Sequence, residues 1–242
     1  IDSLIEIEVE MNIIYRSILA GISALSITLV VTPALAAKNN KIDISDSTVE
    51  STLDYNEQTH LEFMCQEEKL ARDVYITLGT YYPEAIVFGN IVKSEQRHVD
   101  AATAVYMKYG FPDPSTNNNP GVFTSETYGE YFTDTYNYLI TEGANSELDA
   151  FYVGALIEEL DMHDILFCPE EIIELDNGIN ESTECGKVYT DKEDINTLYG
   201  NLLEASENHL RAYVNNIETI IGEGNYEAQY LPQEQVDAIL GR

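Results

Sequence analysis

A glutamate and a histidine three positions apart, Glu95 and His98, stand in the segment SEQRHVDA. On an α-helix, residues at i and i+3 lie on one face, one turn apart, so both side chains can reach the same ion. A carboxylate combined with an imidazole suits iron or manganese. This pair therefore indicates metal binding, although an ordinary polar patch is the alternative because such pairs often arise by chance.

Three further segments carry acidic or histidine side chains among apolar positions of helical spacing. Glu68 lies on the apolar face of its segment, with Glu67 as a rival. Glu158 and Asp161 follow one turn apart in a second segment, and His209 lies on the apolar face of a third. The order Glu, ExxH, ExxD and His on four successive helices predicts one shared site.

Buried carboxylates need a compensating charge, because an isolated ionised group in an apolar core costs several kcal/mol. Inward-facing lysine or arginine is scarce on these faces, and Arg72 is the one nearby candidate. We therefore expect two metal ions, with His98 and His209 supplying neutral nitrogen ligands.

The elements that must position these residues are helices, since the pattern has a 3.6-residue period and no alternating strands. Two hairpins of long helices, joined by one long crossover that contains an additional helix, predict an all-α fold, the ferritin-like four-helix bundle. Ser146 with Asp149, and Thr190 with Glu193, fit capping boxes at two helix starts. The predicted helices span residues 56–80, 84–110, 125–142 (the additional helix), 146–167 and 190–221.

The first 36 residues resemble a processing segment that precedes the fold. Arg16 is followed by an apolar run over 18–31 and by the small-residue sequence Ala34-Leu35-Ala36. We expect translation from Met11, export to the periplasm or the extracellular space, and cleavage near Ala36; an uncleaved membrane anchor is the alternative. The remaining chain divides into a polar leader at 37–55, the four-helix domain at 56–222 and a C-terminal tail with a short helix at 223–242.

Composition limits the partners. With 12 basic and 43 acidic residues among 242, the formal net charge is −31. Nucleic acid is excluded as a partner, because contact with it depends on lysine and arginine neutralising phosphates. The acidic residues are spread along the chain, which favours a solvated surface. The segment DNGINES (176–182) departs from the EF-hand spacing, so it is interpreted as a polar loop and not as a calcium site.

Three cysteines are present, at positions 65, 168 and 185. Export permits disulfides, so Cys168 and Cys185, which flank one loop, are expected to pair, leaving Cys65 as a small buried residue. The chain has no CxxC motif, and thus neither a rubredoxin-type iron site nor a thioredoxin-type redox site.

Four motifs together resemble an uncharacterised family of ferritin-like proteins, domain of unknown function 2202, over roughly residues 57–217. They are EEKLARDVY (67–75), IVKSEQRHVDA (91–101), VGALIEELDMHDI (153–165) and LLEASENHLRAY (202–213). The chain is more distantly similar to rubrerythrin-type dimetal-carboxylate proteins.

The resemblance implies a ligand set for two ions, iron or alternatively manganese. Glu95 and Glu158 would bridge the ions and act as the catalytic residues. Ser206 stands where a second ExxH motif would have its glutamate, which leaves one ion a carboxylate short with an open position. One ion would be held by Glu68, Glu95 and His98, and the other by Glu158, Asp161 and His209.

The predicted function is an exported oxidoreductase that reacts with O2 or peroxide at a diiron centre, or oxidises ferrous iron. An external electron donor is required because the chain has no CxxC iron site. Two other classes stay open: a metal-binding or scavenging protein of the cell envelope without turnover, and an interaction module on a ferritin-like scaffold. The oligomeric state is also open, with a homo-dimer as one option.

Three inward-facing tyrosines, Tyr75, Tyr106 and Tyr213, accompany the predicted ligands. They suit either aromatic core packing, the preferred interpretation, or electron transfer.

Overall fold

The computed structural model describes residues 52–175 and 177–242. These residues form seven α-helices and contain no strand, which confirms the all-α prediction. The predicted signal segment and the leader up to residue 51 lie outside the described residues. The helices are α1 (Tyr55–Tyr81), α2 (Ile86–Lys108), α3 (Gly129–Gly143), α4 (Glu147–Leu166), α5 (Glu170–Glu174), α6 (Glu193–Ile221) and α7 (Gln233–Leu240).

Side-chain caps fix two of the helix starts. Asp54 accepts a hydrogen bond from the backbone N–H of Glu57, and the Glu57 carboxylate accepts one from the N–H of Asp54, which completes a capping box for α1. Ser146 accepts from the N–H of Asp149 at 3.1 Å, the contact predicted for the start of α4.

Two predicted helix starts are wrong. The residues from Ser125 form a turn, because its hydroxyl accepts from the N–H groups at 127 and 128, and α3 begins only at Gly129. The Thr190 cap is absent from α6, which begins at Glu193. Instead, the Thr190 hydroxyl donates to Glu57 of α1 at 2.7 Å, a contact with a residue 133 positions away in sequence.

The four long helices pack in pairs around one apolar core. Helix α1 lies along α2, and α4 lies along α6; the pairs meet where α2 contacts α6 and α1 contacts α4. Helix α3 packs against α1 and α4. The core is lined by apolar and aromatic side chains from every long helix, among them Met64, Phe88, Ile91, Ile157 and Leu210. Packing thereby brings together the faces that carry the predicted site residues.

The crossover covers the face of α1 opposite Glu68. Lys69 and Asp73 lie on that face, and both are buried. Lys69 lies 4.2 Å from the centre of the Phe123 ring, and Asp73 accepts a hydrogen bond from the N–H of Gly121 at 3.0 Å. The crossover is therefore part of the folded core.

The connection between α4 and α6 is tied by a disulfide. Cys168 and Cys185 are joined with their Cα atoms 4.9 Å apart, which confirms the predicted pair, and Cys65 is free and buried. This connection also contains α5, which was not predicted. Among the described residues, no helix is long and apolar enough to cross a membrane.

The C-terminal segment is held against α4 by one buried carboxylate. Glu159 is fully buried, and it accepts hydrogen bonds from the Tyr226 hydroxyl at 2.6 Å and from the N–H groups of Gln229, Tyr230 and Leu231. A carboxylate that accepts this many bonds needs no other partner. Residues 226–231 thus fold as part of the domain.

Candidate metal centre

Five of the predicted site residues meet between the four long helices. Their donor atoms form two triads within 4.8 Å, Glu68 with Glu95 and His98, and Glu95 with Glu158 and His209. Glu95 belongs to both triads, so it lies at the centre of the group. We call these five residues the inner cluster.

Glu95 faces the two histidines with different oxygens. His98 Nδ1 lies 2.9 Å from Glu95 Oε2 and 3.2 Å from Glu68 Oε2. His209 Nδ1 lies 2.8 Å from Glu95 Oε1 and 3.4 Å from Glu158 Oε2. The imidazole rings stack with centres 5.6 Å apart. This is the arrangement expected of a carboxylate that bridges two ions.

Several polar atoms of the inner cluster are buried without a hydrogen-bond partner among the described residues: Glu68 Oε1, Glu95 Oε1 and His209 Nδ1. The last two are close, yet their orientation is not that of a hydrogen bond. Two donors each about 2.1 Å from one ion and about 90° apart would lie about 3.0 Å from each other. The spacing therefore fits two ligands of one ion.

The inner cluster contains no lysine or arginine. Glu68, Glu95 and Glu158 are between 1% and 3% exposed. In residues 52–175 and 177–242, no lysine or arginine forms an ion pair with these three carboxylates. Arg72, the nearby cation noted in the sequence, binds Asp73 and Gln96 instead. Among the described residues, the two imidazoles are the groups that can offset the acidic charge.

Without a metal ion, protons on the two imidazoles offset the charge of the carboxylates. Burial opposes a charged imidazole, but hydrogen bonds with Glu68 and Glu95 outweigh it and raise the pKa of His98 to about 11. Burial is likewise outweighed at His209, where the charges of Glu158 and Glu95 raise its pKa to about 10. Both rings are therefore protonated at neutral pH, and a metal ion must displace those protons.

The carboxylates divide by their contacts with the histidines. Burial acts to raise the pKa of Glu95, but the close imidazoles of His209 and His98 lower it to about 2. Burial dominates at Glu68 and raises its pKa to about 7. Glu95 is thus ionised, while Glu68 is present in both the protonated and the ionised form near neutral pH.

Asp161, the sixth predicted ligand, belongs to neither triad. The Ser206 hydroxyl donates to the Oδ2 atom of Asp161, and Oδ1 is buried with no hydrogen-bond partner in the part of the chain that the structure describes. Burial and the charges of Glu68 and Glu158 raise the pKa of Asp161 well above its usual range. Ser206, read from sequence as a missing ligand, therefore contacts a neighbouring carboxylate.

Two of the three predicted tyrosines reach the site. Tyr75 donates a hydrogen bond to Glu158 Oε1 at 2.7 Å, and its ring lies 5.3 Å from that of Tyr213. A Cβ atom at Gly154 would lie 2.5 Å from the Tyr213 ring, so glycine is needed there for the close approach. Tyr106 is directed elsewhere, since it donates to Glu62 at 3.1 Å.

The family model described as "Uncharacterized protein domain (DUF2202)" matches residues 57–242, most of the chain. The chain belongs to this family. The DUF2202 match includes all five residues of the inner cluster and the C-terminal segment that Glu159 holds.

Two comparisons describe one archaeal relative of this DUF2202 protein. "Uncharacterized protein MJ0754" of Methanocaldococcus jannaschii is 39% identical over 177 residues, which are 73% of this chain and 82% of the relative. The crystal structure of hypothetical protein MJ0754 superposes with a TM-score of 0.65 at 36% identity, covering 81% of this chain and 98% of that chain. Neither name gives an activity.

Proposed function

We propose that this protein binds two transition-metal ions, iron or manganese, between the long helices of a ferritin-like four-helix bundle. The helix order supports this fold: the pair α1 and α2 is joined to the pair α4 and α6 by a long crossover containing α3. Ligands projecting inward from all four long helices are typical of dimetal-carboxylate sites in such bundles.

The observation that carries the proposal is the position of Glu95. It presents one oxygen to each histidine, it is buried, and no lysine or arginine among the described residues neutralises it. Glu68, Glu95 and His98 would hold one ion, and Glu95, Glu158 and His209 the other. Asp161 Oδ1 is the further oxygen that could complete the second set. Oxygen-rich sites with a few imidazoles suit iron and manganese better than soft thiophilic ions.

When bound, two ferrous ions would supply one electron each to reduce O2 or peroxide; if ferrous iron is the substrate, O2 or peroxide would be its oxidant. The protein would hold the ligands of the two ions in position. Glu95 sets the separation of the two ligand sets, and the Tyr75 hydroxyl holds Glu158 in position. Ser94 Oγ lies 3.3 Å from His98 Nε2, so it can hold the ring with Nδ1 directed inward. Electrons would come from an external donor.

We also propose that the protein is exported. The disulfide between Cys168 and Cys185 supports this, because disulfides persist in oxidising compartments. The N-terminal segment, with its apolar run and small residues before position 37, supports it independently.

The test is to measure the metal content of the purified protein by elemental analysis, before and after anaerobic reconstitution with ferrous iron. Exposure to O2 should then produce a near-ultraviolet absorption band. Two ions per chain with this band support a diiron oxidoreductase. Two ions without oxygen-dependent change indicate a metal-binding protein without turnover. No bound metal after reconstitution would contradict the proposal and favour an interaction module.

A further inference from the structure

A cavity of about 510 Å³ lies between the end of α1 and the start of α2. Small-molecule sites have volumes of about 300–1,000 Å³ and mostly apolar linings, and this cavity has both properties. Gly79 of α1 and Gly89 of α2 also line it, so neither helix projects a side chain at these points. The apolar walls are formed by Ile76, Pro83, Ala85, Ile86 and Val92.

Gly89 is a glycine that the packing of the helices does not explain. Glycine inside a helix is destabilising relative to alanine. At Gly154 of α4, a Cβ atom would lie 2.5 Å from the Tyr213 ring, so the fold requires glycine there. At Gly89, a Cβ atom would meet no heavy atom of the described residues within 4 Å. The fold therefore does not require glycine at this position, whereas a ligand in the cavity would.

One wall of the cavity carries a lysine that is free to bind a ligand. Ile86, Gly89 and Lys93 follow one another at intervals of three and four residues, which places them on one face of α2. Lys93 is exposed and forms no ion pair within the described part of the chain, although acidic residues outnumber basic ones 43 to 12. Lys108 of the same helix, by contrast, pairs with Asp194 at 2.6 Å. A cation beside an apolar cavity favours a ligand that carries a negative charge.

The cavity adjoins the inner cluster through a single side chain. Tyr75 lines the cavity and is fully buried, and its hydroxyl donates to Glu158 Oε1 at 2.7 Å. A ligand in the cavity would therefore contact a residue that itself contacts a predicted metal ligand.

We propose that this cavity binds a small organic acid with a flat apolar body. The body lies against Ile76 and Val92, in the space that Gly89 leaves open. The acid group binds the ammonium group of Lys93. This site is independent of the dimetal proposal, because none of the residues that line it is a predicted metal ligand.

The compound 2-naphthoate is the probe, because it has a flat apolar body and one carboxylate; 2-naphthamide is its neutral counterpart. Calorimetric titration of the purified metal-free protein should detect one naphthoate per chain. Nuclear Overhauser effects from the naphthoate ring protons to the methyl groups of Ile76 and Ile86 should locate it in the cavity. No binding, or Overhauser effects to other side chains only, would overturn the proposal.

Two variants test the shape and the charge of the site separately. Gly89→Leu adds a side chain where no protein atom opposes it, so it should weaken both compounds at least about tenfold without lowering the melting temperature. Lys93→Gln should weaken naphthoate about fivefold, because exposed ion pairs contribute little, and should leave naphthamide unchanged. Lys108→Gln removes an exposed charge at the last residue of α2, and as the control it should bind both compounds like the parent.

The outcomes distinguish this site from binding elsewhere on the protein. Parent-like affinity for both compounds in Gly89→Leu would overturn the site. Parent-like naphthoate affinity in Lys93→Gln, or an equal loss of both compounds, would overturn the selection of an acid by Lys93. All of these measurements are made without metal, so their failure leaves the dimetal proposal intact, and a protein that binds no metal can still bind naphthoate.

Discussion

Helix α1 carries buried carboxylates on two faces, and their surroundings differ. Asp73, under the crossover, is paired with Lys69 and Arg72 and accepts from the N–H of Gly121. Glu68, on the other face, meets Glu95 and one histidine. The charge of Asp73 is neutralised by side chains of the same protein, so its role is structural. The group around Glu68 has buried oxygens with no partner in the described part of the chain, as expected of ligands of a cation.

Glu95→Gln should have the largest effect on metal binding at the inner cluster. It removes the charge shared by both triads while keeping the side-chain size, so both ions should be lost. We expect metal affinity to fall at least about 100-fold, because even partners outside the ligand shell cost 10-fold to 100-fold. Elemental analysis of the reconstituted variant measures this. Glu204→Gln, at an exposed position on α6, is the matched control. Parent-like metal content in Glu95→Gln would contradict the bridging role.

Asp73→Asn should lower the stability of the protein and leave its metal binding unchanged. It leaves Lys69 and Arg72 buried without their carboxylate, and removing one partner from a buried ion pair costs about 3–5 kcal/mol of unfolding free energy. Urea denaturation of the metal-free protein measures this loss, with exposed Asp134→Asn as control. The metal content of the folded variant should stay that of the parent. A drop in metal content with unchanged stability would reverse the roles assigned to the two faces.

Metal binding at the inner cluster should release protons. Because the pKa of His98 is about 11 and that of His209 about 10, binding of two ions at neutral pH should release about two protons from the imidazoles. Glu68, with a pKa of about 7, should release a further fraction. Calorimetry in buffers of different ionisation enthalpy counts these protons. Metal affinity should therefore rise with pH between 6 and 8, and a flat profile would contradict the protonated state.

The stability of the metal-free protein should fall as the pH rises. The pKa of both histidines is raised on folding, so their stabilising contribution is complete below the unfolded value of 6.5 and is lost as the pH rises through about 10 and about 11. The melting temperature of the metal-free protein should fall in that range. The metal-loaded protein should be less affected, because there the ions take the place of the protons.

Much of the inner cluster was predictable because helical periodicity alone decides which side chains face the core. Glu68, Glu95 and Glu158 were placed inward by their spacing from apolar residues, and their burial agrees. Periodicity could not predict that Asp73 and Glu159 are also buried. The segments that cover them, the crossover and residues 226–231, are distant in sequence, so their contacts arise only in the folded chain.

The same limit applies to Ser206. A missing glutamate in a sequence motif suggests an open position, but a short side chain can also hold a neighbour. The structure has Ser206 donating to Asp161, a contact between α6 and α4 across 45 positions. Spacing within one helix gives no information on such a pair.

Ser206→Ala gives the smallest expected effect and tests on which side of the comparison Asp161 belongs. Losing one buried hydrogen bond should cost about 0.5–1.5 kcal/mol of unfolding free energy in the metal-free protein. If Asp161 is a ligand of the second inner ion, freeing its Oδ2 atom lets the carboxylate turn toward Glu158 and His209, and that ion should bind more tightly. If Asp161 is not a ligand, affinity at the inner cluster should be unchanged. Ser206→Thr keeps the hydroxyl and is the control for packing. Mn²⁺ titrations of the two variants decide, because tighter binding in Ser206→Ala alone assigns Asp161 to the ligands of the second ion, whereas parent-like binding in both variants leaves Asp161 outside the ligand set.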